Sequence, residues 1–564
     1  MHPIRTGFAL ALLCAAAATA GDLTDRYQLA LHRVLAGGPP AYSHDFILKD
    51  VIPEHVRRFT EYSGDVSGRY VDALSAAAGD LNTAFPALDA LVPKILALQK
   101  PGGYFGGPFH VARLEQNDMA LLWGNGRLLI GLLENYRYKP AAETLAAARR
   151  LGEFLLEIGP TLNSDAVRRQ FETGAFASGY ICWTQQVEAL ARLFELTKDP
   201  RYRDLADTIA ARIERKPSEH SHGFLASVRG LVELYRVTGD RKYLESAERD
   251  WQEVVDSGNL LLPGTIPEAW RPAYLRTEGC AEADWLRLSL ALWQLTGNAK
   301  YIEAAERTLF NELAMNQFET GDFGHRLLSP TGVAGHQAAR AWWCCTLHGL
   351  RSFPEALRSA FREHDGALAY DLAIDGRGRA GSLSLTADST LGRDASVLLK
   401  VTAAAGKAEP LDIRKPAWAR RVAISLNGKP LAANERNGYL RATHAWKTGD
   451  RLTVKYDMIT QTVANPETRR IALFHGPWLL GIDEASNPYY FDEPSHENRL
   501  QLTPELEPAP AAGAGKFAVP VARFRVTYLP GGYKMLPSRA TLRPVAEQTG
   551  TRTTNWEFWF QTAR

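Results

Sequence analysis

The chain has little net charge, few cysteines and, after its first twenty residues, no long apolar run. Its 65 basic and 63 acidic side chains leave a formal net charge of +2, which gives no electrostatic reason to bind nucleic acid or an anionic membrane. Three of the five cysteines fall in one region, unlike the scattered pairs of a disulfide framework. No run reaches membrane-spanning length, so we expect no membrane span. Neutral partners fit better, and an aromatic content of 10% is compatible with sugar binding.

The first twenty residues have the pattern of a secretory signal. An apolar run over 8–18 ends in the sequence Ala-Thr-Ala at 18–20, an A-x-A type cleavage site. Leu13 precedes Cys14, and this side chain is larger than the residue that usually precedes a lipidated cysteine. We therefore predict a signal peptide over 1–20 and a soluble exported protein, either periplasmic or extracellular.

The clustered cysteines indicate a metal site. Glu278 and Cys280 form a Glu-x-Cys step, and Cys344 and Cys345 are adjacent. Neighbouring cysteines do not easily close a disulfide on each other, because the bond's dihedral angle and Cα separation strain the small ring. One carboxylate and three thiolates form a four-coordinate set that suits zinc. Buried structural cysteines are the alternative, and the residues alone leave it open.

The chain divides into a helical half and a strand half. From 22 to 362 the apolar residues recur with helical spacing. A sequence motif that ends in Tyr202 is repeated with its last residue at Tyr243 and at Tyr301. Each copy has the residues expected at the end of one helix and the start of the next. Repeated helical hairpins either stack as a solenoid or close into an α/α toroid, and periodicity alone does not choose between these.

From about residue 366 the apolar spacing changes to period two, with turn residues between the segments. This pattern predicts an antiparallel β-sandwich. A stretch rich in Pro, Ala and Gly over 504–515 predicts a linker or an exposed loop. The expected divisions are a signal peptide over 1–20, a helical catalytic domain over 21–365, a β-sandwich over 366–503, and a linker with a C-terminal β segment over 504–564.

Several phrases, in their order along the chain, carry a family resemblance. They are ALQKPGGY at 97–104, Glu278-Gly279-Cys280, Cys344-Cys345, IRKPAWA at 413–419 and RIALFHGP at 470–477. Together they resemble glycoside hydrolase family 127 and its relatives, the β-L-arabinofuranosidase group. The resemblance covers most of the chain after the predicted signal.

This resemblance implies an (α/α)6 barrel catalytic domain followed by antiparallel β-sandwich domains, with a zinc ion in the mouth of the barrel. The implied zinc ligands are Glu278, Cys280, Cys344 and Cys345. Cys344 corresponds to the family nucleophile, a zinc-bound thiolate that attacks the anomeric carbon. Glu268 corresponds to the glutamate that acts as general acid/base.

Five further residues lie in segments that correspond to the sugar-binding rim of the family. These candidate substrate-binding residues are His220, His222, Gln185, Trp183 and Asn125. The chain also departs from the family pattern at two points. It has Glu-Gly-Cys where the family usually has Glu-Thr-Cys, and Thr-Leu where two prolines usually follow the cysteine pair.

The chemistry of these residues agrees with the implied reaction. Retaining glycoside cleavage needs one group that protonates the leaving oxygen and another that captures the anomeric centre. A thiol is mostly protonated at neutral pH, but coordination to zinc removes its proton, so metal binding creates the nucleophile. Glu268 must hold a proton, which walls formed by Trp270 and Tyr274 favour through desolvation. The competing interpretation of Glu268 is a first-turn helix glutamate after Pro267.

We therefore predict a zinc-dependent retaining exo-glycosidase that acts on β-L-arabinofuranosyl or closely related residues of an oligo- or polysaccharide. One alternative is an α/α-toroid polysaccharide lyase, which also joins helical hairpins to β-sandwiches but gives no reason for three clustered cysteines. The other is a non-catalytic carbohydrate-binding protein with a structural zinc ion.

Overall fold

The computed structural model describes residues 22–36, 42–52, 60–172, 179–217, 219–270, 276–335, 340–492, 498–508, 519, 522–530, 537–548 and 554–563. The predicted signal peptide with Cys14 lies outside these residues. Tyr274 and part of the predicted linker, residues 509–515, also lie outside them.

The first half of the chain is mainly helical, as its apolar spacing predicts. A 3₁₀ turn spans Thr60–Tyr62, and a π-helical turn spans Thr308–Glu312. The α-helices are α1 (Asp22–Leu35), α2 (His44–Leu48), α3 (Asp65–Leu81), α4 (Pro86–Leu96), α5 (Gln116–Tyr138), α6 (Ala142–Leu162), α7 (Asp165–Gln170), α8 (Ile181–Thr184), α9 (Gln186–Thr197), α10 (Pro200–Ala210), α11 (Ser221–Thr238), α12 (Arg241–Asp256), α13 (Gly279–Thr296), α14 (Ala299–Arg307), α15 (Leu313–Asn316) and α16 (Trp343–Arg358).

Six of the described helices contact one another in a closed order. Helix α3 packs against α5, α5 against α9, α9 against α11, α11 against α13, α13 against α16, and α16 returns to α3. These inner helices are buried on all sides; in α13 every residue from 279 to 290 is buried. Helices α3 and α5 approach closely through Gly68, where a Cβ would lie only 2.4 Å from the backbone nitrogen of Leu128.

Each inner helix has an outer partner: α3 packs against α4, α5 against α6, α9 against α10, α11 against α12, α13 against α14, and α16 against α1. The outer helices bury one face. In α12 the buried residues are Tyr243, Leu244, Ala247, Asp250, Trp251 and Val254, at the spacing of an amphipathic helix. The inner helices are therefore shielded from solvent by a second layer.

The repeated phrase forms the turns between inner and outer helices, as the sequence predicts. In each of the three copies the inner helix ends at a residue in the left-handed region, and the next residue caps the outer helix by accepting a hydrogen bond from the N–H two residues further on. The left-handed residues are Lys198, Gly239 and Gly297, and the caps are Asp199, Asp240 and Asn298.

The second half of the chain is built from strands. Short helices span Leu391–Asp394 (α17) and Pro488–Asp492 (α18). The strands, including three short ones in the helical half, are β1 (Gly324–His325), β2 (Gly332–Val333), β3 (Arg340–Ala341), β4 (Phe361–His364), β5 (Ala367–Tyr370), β6 (Gly376–Ala380), β7 (Leu383–Thr390), β8 (Ser396–Ala403), β9 (Ala408–Arg414), β10 (Ala419–Leu426), β11 (Lys429–Pro430), β12 (Asn434–Arg436), β13 (Tyr439–Ala445), β14 (Arg451–Met458), β15 (Thr460–Ala464), β16 (Ile471–His475), β17 (Trp478–Asp483), β18 (Arg499–Glu507), β19 (Arg523–Leu529), β20 (Ser538–Pro544), β21 (Trp556–Glu557) and β22 (Gln561–Thr562).

Two sheets follow the helical half along the chain, and their buried residues belong to one hydrophobic core. One has the strand order β11-β10-β14-β8-β7-β6, and the other has the order β12-β13-β9-β5-β4. Burial alternates along β7 and β14, as period-two spacing predicts. The pairing is not purely antiparallel as expected, because β5 runs parallel to β9. Apolar and polar residues alternate along a strand in the same way whether its neighbour is parallel or antiparallel, so the sequence pattern could not distinguish the two pairings.

Strands β15–β18 belong to a third sheet together with the C-terminal strands, in the order β15-β16-β17-β20-β19-β18-β22. The expected domain boundary between residues 503 and 504 therefore falls inside β18. Residues of β18 before and after this boundary both pair with β19. This sheet also packs on the helical half: β21 pairs with both β17 and β2, and the side chain of Asn311 donates to the Pro477 carbonyl at 3.0 Å.

Among the described helices, none combines the length and the apolar character needed to cross a membrane.

Candidate metal and active site

Three cysteines meet where two neighbouring inner helices begin. Cys280 is the second residue of α13, and Cys344 and Cys345 lie in the first turn of α16. Their three sulfur atoms all lie within 4.8 Å of one another, and the Cys280 and Cys345 sulfurs are 3.7 Å apart. This separation is far longer than a disulfide bond. Both helix N-termini favour the thiolate form of these residues through the helix dipole.

The residue between Glu278 and Cys280 allows the two helices to meet this closely. A Cβ at Gly279 would lie 3.0 Å from the Cβ of Cys345 and 3.2 Å from that of Phe323. Both distances are tighter than an ordinary contact. Glycine at this position therefore suits the packing of α13 against α16 in this chain.

The thiols in this cluster differ in acidity. The pKa of Cys344 lies well below its usual value, chiefly because the Cys280 and Cys345 thiols donate to its sulfur, and Arg69 and His325 add positive charge. Burial raises the pKa values of Cys280 and Cys345. Without a metal ion, negative charge in the cluster is thus favoured on Cys344.

Glu278 is the residue immediately before α13, and its carboxylate lies beside the thiols. One of its carboxylate oxygens lies within 4.8 Å of the Cys345 sulfur and of a ring nitrogen of His325. Its Oε2 atom is 3.0 Å from Nε2 of His220. Thiolates and a carboxylate are ligand types that zinc accepts. Two sulfurs bound at about 2.3 Å to a tetrahedral ion lie about 3.8 Å apart, close to the separation of the Cys280 and Cys345 sulfurs.

Glu268 reaches the same region from a short hairpin. Pro267 forms an antiparallel bridge with Thr277, and the backbone N–H of Glu268 donates to the Arg276 carbonyl at 2.9 Å. The Glu268 carboxylate is ion-paired with Arg276 and lies 3.5 Å from Nε2 of His325. Carboxylate oxygens of Glu268 and Glu278 and a ring nitrogen of His220 all lie within 4.8 Å of one another. Glu268 is in no helix, so the first-turn interpretation was wrong.

The structure separates the two candidate histidines. His220 is the residue before α11 and faces Glu278 and Glu268. Burial alone would lower the pKa of His220, but the Glu278 carboxylate overcomes this effect and raises it. His222 lies two residues further along the chain, inside α11, where burial lowers its pKa well below the usual value. Of these two histidines, His220 is therefore the one that lies beside the two glutamates.

A buried hydrogen-bond network lies behind the thiols. Asp284 accepts from Nδ1 of His222 at 2.7 Å, from Nε2 of His348 at 2.7 Å and from Nη1 of Arg229 at 2.8 Å. Nε2 of His222 is 2.9 Å from Nη2 of Arg69, and Nη1 of Arg69 lies 3.6 Å from the Cys280 sulfur. This series of contacts links Asp284 to the cysteine cluster and fixes the orientation of Arg69.

The sequence analysis did not identify Asp284, His348, Arg69 or His325 as site residues. Asp284 and His348 are buried in otherwise apolar helices. A charged or polar residue inside an apolar helical segment is unusual, and this pattern could have marked both as candidates. His325 lies in the short strand β1, which has no distinguishing pattern.

Trp183 and Asn125 are placed differently from expectation. Asn125 uses its amide on the backbone: Nδ2 lies within hydrogen-bond distance of the Ser63, Phe105 and Leu121 carbonyls, and Oδ1 accepts from the Phe105 N–H. Its hydrogen-bonding capacity is thus taken up by the loop beside α5.

Trp183 is fully buried, and its indole N–H donates to Asn163 at 2.8 Å. Gln185 is also buried, and its amide donates to the Trp123 carbonyl at 3.1 Å. These contacts give Asn125 and Trp183 structural roles, because their polar atoms are already paired inside the protein.

The aromatic residues near the site mostly pack against other side chains. Trp270 is buried against Phe224, with the Arg215 guanidinium over its ring. Trp342 makes an edge contact with His325 at 5.7 Å between ring centroids. Trp123 contacts the rings of His220 and His222, at 5.8 and 5.3 Å between centroids, so Trp342 and Trp123 both lie next to candidate site residues.

Known proteins share this sequence pattern and this fold. The sequence model of the β-L-arabinofuranosidase GH127 catalytic domain matches residues 57–357, and that of the GH127 middle domain matches residues 371–458. A solved GH127 β-arabinofuranosidase superimposes with a TM-score of 0.75 at 17% identity, over 97% of this chain and 98% of the other. A GH127 β-L-arabinofuranosidase from Geobacillus stearothermophilus T6 gives a TM-score of 0.71 at 15% identity, over 96% and 99%. No curated protein sequence matches this one.

The two solved structures support the fold, in which a helical region is followed by β-sheet domains. The catalytic-domain match covers more than half of the chain and includes Glu268, Glu278 and all three clustered cysteines. The chain belongs to glycoside hydrolase family 127, and it is a β-L-arabinofuranosidase-like glycoside hydrolase.

Proposed function

We propose that this enzyme is a zinc-dependent, retaining exo-glycosidase that releases β-L-arabinofuranosyl or closely related residues from oligo- or polysaccharides. The observation that carries the proposal is the cluster of three thiols at the starts of α13 and α16, with Glu268 held on the adjoining hairpin. The two solved relatives described as β-arabinofuranosidases support the substrate class.

Glu278, Cys280, Cys344 and Cys345 are the proposed zinc ligands, because three thiolates and one carboxylate form a set that this metal prefers. His325 offers a further nitrogen beside Glu278 and Cys345. When bound, zinc would keep the thiols ionised at neutral pH and compensate their negative charge.

Cys344 is the proposed nucleophile. It is half-buried, whereas Cys280 and Cys345 are fully buried, so its sulfur is the one a substrate can approach. In the first step a bond forms between this sulfur and the anomeric carbon while the bond to the leaving oxygen breaks, and Glu268 gives its proton to that oxygen. In the second step Glu268 takes a proton from water, and the water oxygen replaces the sulfur. Two displacements retain the anomeric configuration.

Glu268 must change partners for this role. Its ion pair with Arg276 favours the charged carboxylate, whereas the first step needs a protonated acid. The Arg276 side chain is 36% exposed, so it has room to move away when a sugar binds. We propose that substrate binding separates this pair and leaves Glu268 beside His220 and the leaving oxygen. His220 and Gln185 remain the proposed sugar contacts.

Two variants test the assignment with an aryl β-L-arabinofuranoside as substrate. Cys344→Ser should abolish hydrolysis, because a serine hydroxyl is a far weaker nucleophile than a thiolate. Glu268→Gln should also lose turnover while retaining its zinc. With an activated aryl leaving group the first step needs little acid assistance, so this variant should accumulate a pentosyl adduct on the Cys344 peptide, detectable by mass spectrometry.

Cys182→Ser and Glu245→Gln serve as matched controls, since Cys182 lies in the core of α8 and Glu245 is exposed on α12. Both should hydrolyse the substrate like the wild type. Full turnover by Cys344→Ser or Glu268→Gln, or an adduct on another residue, would refute the assigned roles. A wild type that holds zinc but hydrolyses no aryl glycoside would instead indicate a sugar-binding protein with a structural metal.

We further propose that the closed order of inner and outer helices is an (α/α)6 barrel, with the thiol cluster in its mouth. The proposed domain division keeps the helical catalytic domain up to about 365. The strand pairing favours a boundary between the two following β regions near residue 459, because β15 onward pairs within the third sheet. Export through a signal peptide over 1–20 also remains a proposal, and amino-terminal sequencing of the secreted protein tests it.

A further inference from the structure

A cavity of about 310 Å³ lies among the last turns of the inner helices. Its lining residues come from the second halves of α5, α9, α11, α13 and α16, whereas the cysteines and Glu278 lie where α13 and α16 begin. Along α13, Cys280 and the nearest lining residue, Arg287, are seven residues apart (287 − 280 = 7), or about 10 Å at the helical rise per residue. The cavity is therefore separate from the candidate active site.

The lining of this cavity is rich in guanidinium groups. Seven arginines and three glutamates line it, together with only three apolar residues. The lining residues alone carry a formal charge of 7 − 3 = +4, and four carboxylates just outside the lining balance it through ion pairs with these arginines: Glu188, Glu195, Asp72 and Asp284. Arginine presents five N–H donors and no acceptor, and its planar fork matches the oxygens of a carboxylate or a phosphate.

The four deeper arginines are held rigidly, and they share carboxylates. Glu188 accepts from both Arg192 and Arg229. Glu355 pairs with both Arg287 and Arg351. Asp284, Asp72 and Glu134 also pair with Arg229, Arg351 and Arg192, respectively. Nε of Arg192 nevertheless has no hydrogen-bond partner among the described residues, and each guanidinium group has five N–H donors, so donors remain for a ligand. Glu188 does not line the cavity, so Arg192 and Arg229 lie between it and the cavity.

The rim of the cavity carries three more exposed arginines. Arg137 and Arg236 are engaged with glutamates, but Arg358 has no ion-pair partner among the residues that the structure describes. Arg358 lies in the last turn of α16, where the helix carbonyls carry negative partial charge. That partial charge weakens the attraction for an anion without matching the full charge of Arg358.

We propose that this cavity binds a small oxyanion-bearing ligand no larger than one sugar residue, through the unpaired Arg358 at its rim and the fixed guanidinium groups below. Two sources share this chemistry: a phosphate group and the carboxylate of a uronic acid sugar. The neutral hydroxyls of a sugar ring would find partners in Gln294 and Ser359.

Calorimetric titration of the full-length enzyme tests the proposal with inorganic phosphate and with D-glucuronate, at ionic strength matched with sodium chloride. D-Glucose is the neutral control. We expect saturable binding of one or both anions and none of glucose. Binding of phosphate alone points to a phosphorylated ligand, and binding of glucuronate points to an acidic sugar. Absence of saturable binding for both anions would overturn the proposal.

Three variants test whether the anion binds in this cavity. Arg358→Gln should weaken anion binding about tenfold through loss of one charge-assisted contact. Arg241→Gln removes an exposed arginine of α12 that pairs only along its own helix, and it should leave the affinity unchanged. Cys344→Ser should bind the anion like the wild type, since it lies at the other end of the helices. Equal weakening in both arginine variants, or loss of binding in Cys344→Ser, would contradict this location.

Discussion

A buried pair of carboxyl groups, Glu282 on α13 and Glu312 at the end of the π-helical turn, makes the stability of the fold depend on pH. Both side chains are fully buried. Burial raises the pKa of Glu312 to about 7, and burial and the neighbouring Glu312 raise that of Glu282 well above its usual value. An unfolded chain releases the Glu312 proton near pH 4.5. The folded protein therefore binds more protons than the unfolded chain between these values, and its free energy of unfolding falls as the pH rises through this window.

The substitution Glu312→Gln removes this titration while keeping a hydrogen-bonding side chain of the same size. The shift from 4.5 to about 7 is 2.5 pH units, which corresponds to about 3 kcal/mol of stability lost by the wild type but not by the variant. For a helical half of about 300 residues, this difference is a change of about 5 °C in the unfolding midpoint. Relative to the wild type, the unfolding midpoint of the variant should rise by about this amount between pH 4 and pH 8.

Differential scanning calorimetry at several pH values measures the effect. The comparison of the two proteins cancels the titration of the thiols, since both have the same cysteines. Glu245→Gln, which removes an exposed carboxylate of α12, should follow the wild-type pH profile. If the profile of Glu312→Gln is also parallel to that of the wild type, Glu312 does not hold a proton in the folded protein and the reasoning fails.

Two further variants test other parts of the structure. Cys280→Ser should lower the zinc content of the purified protein, measured by elemental mass spectrometry, whereas Cys182→Ser should leave it unchanged; equal zinc in the two would contradict the ligand set. Asn125→Ala should cost about 2 to 4 kcal/mol, because it removes several buried hydrogen bonds to the backbone. Asn135→Ala on the same helix loses one bond to Ser75 and should cost less, and equal midpoints in calorimetry would refute the structural role of Asn125.

The features that the sequence predicted are those determined by neighbouring residues. The turns at Gly239 and Gly297 could be predicted because a left-handed residue followed by a capping side chain is local chemistry. The closed order of the inner helices could not be predicted, because it depends on distant contacts. The ion pair between Arg351 of α16 and Asp72 of α3, for example, joins residues 279 positions apart.

The candidate site was partly predictable for a similar reason. Cysteine is rare in this chain and its chemistry is specific, so Cys280 and the cysteine pair stood out. A buried aspartate such as Asp284 resembles any surface carboxylate until its helix is known to be buried on all sides. The choice between His220 and His222 also required the structure, because residues two apart on a helix face different neighbours.

The pairing of β21 with β2 has a consequence for how the reaction centre is completed. Strand β2 lies in the loop between β1, which carries His325, and β3, which precedes Cys344. At Gly332 the backbone of Trp556 lies so close that a Cβ would be 1.8 Å from its carbonyl oxygen. During synthesis on the ribosome, this loop lacks its neighbouring strand until β21, 556 − 332 = 224 residues later in the chain, has emerged. Exchanging the last β region between relatives would therefore alter the surroundings of this loop, which lies beside the candidate site, as well as the outer surface.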